Sequence, residues 1–387
     1  MKISIVLGTQ FGDEGKGSFT NHLCKKDESS LVIRFNGGHQ AGHTVLHETI
    51  RHTFSSFGSG TFKNVPTYWS KYCTIYPIAL INEYNILNEK GITPEIYIDP
   101  LCPVTTPYDI LANINNENKN SHGSVGVGFG TTIQRQESYY KLYYQDLFND
   151  VILEGKMFNI KQYYNKIHFE NLSIIDEMLN NWYDAIKKLR KLNFTKNLYD
   201  ILYYDLDHII FEGAQGILLD MDFGFFPNVT RSNTTCKNAL SLINSLGLVS
   251  ENINVYYITR AYQTRHGMGY MTNRELKLEL INTEHEINVD TSFQGIFRKS
   301  ILDLDLLQYA IQSDDRIQHD YSIPLNKNIV ITCLDQIKGN IKYTFNKKLY
   351  EGDIQDMKSH LSKITKINNF ILGETEGKFN KRINNII

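Results

Sequence analysis

The chain has 387 residues, with 40 Lys and Arg against 42 Asp and Glu, for a formal net charge of −2. So even a balance gives no bulk field for nucleic acid or an anionic membrane surface, and no apolar run reaches the roughly 18–20 residues that span a bilayer. The five cysteines, Cys24, Cys73, Cys102, Cys236 and Cys333, are odd in number and contain no CxxC pair, which fits reduced thiols in a cytoplasmic protein better than a disulfide framework or a zinc site.

The first predicted element is a short buried strand, Ser4–Leu7, running into Gly8-Thr9-Gln10-Phe11-Gly12-Asp13-Glu14-Gly15-Lys16-Gly17-Ser18. Glycine lets backbone N–H groups approach a phosphate closely. Lys16 supplies a point charge, and a helix expected from Ser18 aims its positive end at the same place. This is not a Walker A loop, because Gln10 stands where its first glycine belongs and Gly17 where Ser or Thr must follow the lysine. Asp13 is the anomaly: a carboxylate beside phosphate is repelled unless a metal or a donor offsets it. The plainer alternative is an aspartate capping a glycine turn.

A second strand, Leu31–Phe35, leads to Gly37-Gly38-His39-Gln40-Ala41-Gly42-His43-Thr44. Two histidines four apart suit a metal on a helix, but three glycines argue against a helix here. A third strand is expected at Glu95–Ile98, then a glycine-rich loop, Gly123-Ser124-Val125-Gly126-Val127-Gly128-Phe129-Gly130, with Arg135 just beyond. From about 141 to 206 the spacing of Phe, Leu and Ile is helical and reads as an insertion in a single domain covering 1–387. Strands His208–Phe211, Val255–Thr259 and Ile329–Thr332 follow, each running into a loop with polar or glycine residues. The pattern predicts an α/β fold with a mostly parallel central sheet and flanking helices. Functional residues then belong beyond the carboxyl ends of strands, where Asp13, His43, Gln215, Arg265 and Asp335 all stand.

The loops at Gly12–Gly17 (GDEGKG) and Gly37–Thr44 (GGHxAGHT) are followed by Glu212–Asp220 (EGAQGxLLD) and Val229–Thr235 (VTxSNTT). Four such motifs in this order resemble the adenylosuccinate synthetase family. The resemblance implies that family's P-loop NTPase-like fold, a homodimer, Mg²⁺ as cofactor, and GTP-dependent conversion of IMP and L-aspartate to adenylosuccinate through a 6-phosphoryl intermediate. It makes Asp13 the base that takes the N1 proton and His43 a donor to the transferring phosphoryl oxygen. Lys16 and Gln215 complete that set, and Asp13 with the Gly42 carbonyl would hold Mg²⁺. Gly12, Glu14, Gly15, Gly17, Gln40, Ser124, Thr230 and Arg265 become phosphate or nucleotide contacts, and Arg135 reaches the phosphate of the partner subunit. Asp335, in Thr332-Cys333-Leu334-Asp335, corresponds to the family's guanine-reading TKLD.

The second half departs from the pattern. Thr264-Arg265-His266-Gly267-Met268-Gly269 is similar to TRVGAGP but has His266 for valine. The run of four arginines expected before TGWLD is reduced to Arg298 and Lys299, leaving Thr291 and Arg298 as the amino-acid contacts. This reduced loop is similar to the phage 2-aminoadenylosuccinate synthetases, which use dGMP, so dGMP with ATP or GTP is the rival pair. Retention of Asp13, where that branch carries Ser, favours IMP. A nucleotide-binding protein without ligase activity is the alternative of another class.

Overall fold

The computed structural model describes residues 1–120, 126–165, 172–202, 205–248, 253–281, 284, 286, 288, 290, 295–375 and 377–379. Its strands and helices alternate in chain order: β1 (Lys2–Gly8), α1 (Lys16–Leu23), β2 (Ser30–Arg34), the hairpin β3 (His43–His47) and β4 (Ile50–Phe54), β5 (Thr67–Trp69), α2 (Pro77–Glu89), β6 (Ile96–Ile98), α3 (Pro107–Asn120) and α4 (Phe129–Glu137). Helices α5 (Asp150–Tyr164), α6 (Leu172–Leu192) and α7 (Leu198–Leu202) occupy the stretch with helical spacing. After them come β7 (His208–Glu212), α8 (Lys237–Ser245), β8 (Ile253–Arg260), β9 (Tyr262–His266), β10 (Phe297–Asp303), α9 (Leu304–His319), β11 (Asn326–Thr332), β12 (Ile341–Phe345), β13 (Lys348–Gly352), α10 (Ile354–Thr365) and β14 (Phe370–Leu372).

Eight of the described strands form one sheet in the order β14-β11-β8-β1-β7-β2-β5-β6, and each neighbouring pair is parallel. A parallel strand covered on both faces must be apolar throughout. That is why Ile3, Ile5, Val6 and Leu7 of β1, and Ile209, Ile210 and Phe211 of β7, have no exposed surface. One face packs against α8, α9 and α10, and the other against α1 through Val6, Phe19, Val32 and Ile210. A separate core joins α2, α3, α5 and α6 around Trp182, Ile186 and Leu189, residues spaced to share one helical face.

Chain order reverses around β1: β2, β5 and β6 lie to one side, with β7 inserted, and β8, β11 and β14 to the other. Such a reversal opens a crevice beyond the carboxyl ends of the strands. The second sheet, β13-β12-β10-β9, closes one wall of it. Sequence periodicity predicted neither this sheet nor the three-residue strands β5 and β14. Arg265 accordingly lies inside β9, and His43 opens β3, instead of following the strands in loops.

Candidate active site

The crevice is a cleft of about 990 Å³ that gathers Asp13, Lys16, Gln40, Gly42, His43, Gln215, Thr230 and Arg265 from five separate segments. Its volume is at the upper end for ligand sites, about 300–1,000 Å³. Ser124 and Thr291 lie outside the described residues.

The glycine loop turns inward on itself. Glu14, fully buried, accepts the Gln10 and Gly12 N–H groups at 2.9 Å each, and its other oxygen accepts Lys16 Nζ at 2.7 Å. Lys16 Nζ also donates to the Gly12 carbonyl at 2.8 Å, and its side chain is 1% exposed. The point charge expected of Lys16 is thus paired with Glu14, and the Gly12 N–H is taken up by the same carboxylate. What faces the cleft is the start of α1, one turn of which has no side-chain cap, and helix N-termini favour anions. The helix begins at Lys16, two residues earlier than predicted, because Gly15 adopts φ 89° and reverses the chain. Gly17 is forced by contact: a Cβ there would meet His43 Cβ at 2.7 Å.

Asp13 stays at the cleft with its side chain 24% exposed. Burial raises its carboxyl above the usual range, while His266 and Arg260 pull the other way. A carboxyl raised in this way takes up a proton more readily than a solvated aspartate. Arg260 fixes the loop by donating Nε to the Asp13 carbonyl at 2.5 Å, and its Nη1 pairs with Glu286 at 2.5 Å.

His43 is held from behind. Its Nδ1 lies 2.7 Å from Glu212 Oε1, and the other Glu212 oxygen accepts the Ser59 N–H at 3.0 Å. Ser59 Oγ donates to the same carboxylate. Burial pushes the imidazole down to about 4 against the pull of Glu212. The Glu212 carboxyl, which burial alone would raise, is brought down to about 2 by His43, Arg34 and Ser59. The pair is thus a neutral ring donating Nδ1–H to a carboxylate. Nε2, buried and without a protein partner, is left at the cleft.

Gln215 takes φ 61°, a conformation that non-glycine residues seldom adopt, and its Oε1 is buried without a partner. The strand-to-loop turn before it is clamped by Asn36, which accepts the Ala214 N–H at 2.7 Å and donates to the Ala214 carbonyl at 3.0 Å. Both amide atoms of Gln40 are likewise buried and unpartnered.

Arg265 spreads over the Phe11 ring at 4.2 Å and donates to the Tyr270 and Asn228 carbonyls. Burial lowers its guanidinium to about 10, with Arg298 adding to the effect. Arg298 is its direct cross-strand partner. Like charges placed opposite each other are destabilising without an anion between or beside them. Among the described residues, Arg298 Nε and Nη2 are buried without a partner and Nη1 donates to Gly269 O at 3.0 Å.

One expectation changes. Arg135 does not project toward a partner subunit. Its side chain has no exposed surface and its five N–H groups go to Asp109, Gln136, Tyr140 and Val104, so it is an internal strut. Asp335 accepts from the Thr375 N–H at 2.8 Å and Oγ at 2.9 Å, while Cys333 and Thr375 form the cleft wall beside it. Sequence reasoning missed Glu212, Ser59, Asn36, Arg260 and Glu286. Glu212 alone left a signal, as a carboxylate ending an otherwise apolar strand.

For Mg²⁺, the described residues contain no cluster of three His, Cys, Asp or Glu side chains. Mg²⁺ is usually held by one or two carboxylates plus substrate phosphates, and Asp13 with Gly42 at the cleft fits that donor set.

A family model, adenylosuccinate synthetase, matches residues 5–379. The adenylosuccinate synthetases of Thermoplasma acidophilum and Saccharophagus degradans are 29% and 31% identical, covering 92% and 88% of this chain and 82% and 80% of their own lengths. Among solved structures, fully ligated adenylosuccinate synthetase from Plasmodium falciparum shares the fold over all of both chains, with a TM-score of 0.74 at 20% identity. Cyanophage S-2L succinoaminodeoxyadenylate synthetase bound to dGMP and dATP shares it over 94% of this chain and 99% of its own, with a TM-score of 0.53 at 13% identity.

Proposed function

This chain belongs to the adenylosuccinate synthetase family, and we propose that, as a ligase forming C–N bonds, it converts IMP and L-aspartate to adenylosuccinate with GTP as phosphoryl donor. The observation that carries this reading is the meeting of Asp13, His43 and Gln215 in one cleft at the N-terminus of α1.

The 6-oxygen of a purine is a poor leaving group until phosphorylated. Asp13 removes the N1 proton of IMP, which places negative charge on O6, and O6 attacks the γ-phosphorus of GTP as GDP departs. His43, whose Nδ1–H is held by Glu212, turns Nε2 to the transferring group and must take up a proton there as the phosphates arrive in order to donate to a phosphoryl oxygen, while the start of α1 faces the others. Lys16 acts as a paired charge with Glu14, holding the loop's shape. Gln215, whose amide both donates and accepts, suits the purine edge. The amine of aspartate then attacks C6, the C6–O6 bond breaks, and phosphate leaves with O6.

Arg265 and Arg298 form the cationic pair that would receive the carboxylates of aspartate, since guanidinium binds carboxylate in bidentate geometry. Asp13 and the Gly42 carbonyl would hold Mg²⁺, which offsets phosphate charge. Arg135 has no place in this scheme.

The test is isotopic. IMP carrying ¹⁸O at position 6, incubated with Mg²⁺, GTP and aspartate, should deliver the label to inorganic phosphate. Label left in water or retained on the purine would exclude O6 phosphorylation.

A further inference from the structure

The third position of the Val229–Thr235 motif is open in the pattern, and Arg231 fills it. The reaction above leaves this arginine without a role, although it lines the cleft beside Thr230. Among the described residues its guanidinium pairs with Glu137, Nη1 to Oε2 at 2.9 Å, and the two side chains are 45% and 52% exposed. A pair so exposed contributes little, and a stronger anion displaces it readily.

A purine nucleotide carries its N1 edge and its 5′-phosphate at opposite ends. With N1 at Asp13, the phosphate falls away from the start of α1, toward the part of the cleft lined by Gly130, Thr131, Gln134, Thr230 and Arg231. Glu137 ends α4, and Gly130, Gln134 and Glu137 recur at i, i+4 and i+7 on one face of that helix. The face that meets Arg231 thus runs back to the helix start inside the cleft. No side chain caps that start, and a Cβ on Gly130 would meet nothing within 4 Å, which leaves room for an anion. Gln40, also at the cleft, keeps both amide atoms buried without a partner among the described residues. The other Lys and Arg side chains lining the cleft are placed differently. Lys16 is paired with Glu14 and Arg260 with Glu286, Arg265 stands against Arg298, and Arg51 lies on the hairpin that carries His43.

We infer that Arg231 supplies, from within the same chain, the cation that binds the 5′-phosphate of the acceptor nucleotide, exchanging Glu137 for it. A phosphate monoester carries about −1.5 to −2 charges near pH 7 and matches the guanidinium fork in bidentate geometry, so it outcompetes a single carboxylate. Arg231 thereby takes the role expected of Arg135, whose N–H groups are taken up inside the fold. This rests on the reading above, because Asp13 as the N1 partner sets which end of the cleft receives the phosphate.

The test is steady-state kinetics on the wild type, Arg231→Ala, Arg231→Lys and Glu137→Gln, varying IMP, GTP and aspartate in turn. In Arg231→Ala, KM for IMP should rise about 10–100-fold, the worth of a hydrogen bond between charged groups. Values of kcat and of KM for GTP and aspartate should stay within about threefold. Arg231→Lys, which keeps the charge but loses the fork, should recover KM for IMP to within about tenfold of the parent. Glu137→Gln, which frees Arg231, should lower KM for IMP by about twofold to threefold. An IMP KM within threefold of the parent in Arg231→Ala, a parallel rise for all three substrates, or a rise in Glu137→Gln would overturn this inference and leave the proposed reaction standing. No succinylated product from the wild type would overturn the proposed reaction. Calorimetric binding of IMP to the same proteins then decides the inference, which unchanged affinity in Arg231→Ala, or no binding to the wild type, would refute.

Discussion

Replacing Glu212 with Gln should separate what holds His43 from what His43 does. The carboxylate is fully buried and accepts three bonds, one from His43 Nδ1 and two from Ser59. A glutamine of the same shape can still accept the Nδ1–H through its oxygen. Its NH₂ group must then face the Ser59 N–H, donor against donor, so at least one charge-assisted bond is lost. Bonds to charged groups are worth about 1.5–3 kcal/mol, and stability to urea should fall by about 2 kcal/mol. The larger effect is on turnover. With the ring free to flip or change tautomer, Nε2 is no longer committed to the cleft, and kcat should drop about 10²-fold, about 2.7 kcal/mol. KM for IMP should move little, since the ring is assigned to the transferring group and not to ground-state binding. The assay is steady-state release of phosphate, with urea unfolding followed by circular dichroism. A folded Glu212→Gln protein whose kcat stays within threefold of the parent would refute the reasoning.

Arg298→Ala should raise KM for aspartate by about 10–100-fold with a smaller change in kcat, because it removes a bidentate carboxylate partner; initial rates against aspartate concentration decide it. Arg135→Ala should destabilise the protein by about 3–5 kcal/mol, leaving Asp109 buried without its partner. A kinetic defect without loss of unfolding free energy would restore the role expected from sequence. His39 and His43 are both lowered to about 4 by burial, so the unfolded chain binds protons first as pH falls below 6.5. Each should weaken stability by about 1.4 kcal/mol per pH unit from there to about 4. Glu212, lowered to about 2, extends the loss below pH 4.5. Urea midpoints that stay flat between pH 7 and 4.5 would contradict this.

The parallel sheet was legible because strands buried on both faces are written as nearly continuous apolar runs, as in Leu31–Ile33 and Ile209–Phe211. The second sheet was not, since strand β10 reads Phe-Arg-Lys-Ser-Ile-Leu-Asp and its cationic half resembles a ligand loop. The glycine loops revealed where the cleft would be, because close backbone approach leaves few residue choices. They did not reveal that Glu14 fills the loop from within. Arg135 was misplaced for a related reason. Its partner Asp109 is 26 residues away, and an arginine saturated by a distant carboxylate looks the same in sequence as one awaiting a phosphate. Glu212 and Ser59 are 153 residues apart, and only the folded chain joins them to His43.

The central claim is that one cleft joins a purine nucleotide to an amino acid through phosphoryl transfer. Its most direct test is incubation of the purified protein with Mg²⁺, GTP, L-aspartate and IMP, with products separated by mass. The account predicts adenylosuccinate, GDP and phosphate in equal amounts, all abolished in Asp13→Ala. Phosphate released without a succinylated purine, or a product formed equally well by Asp13→Ala, would contradict it.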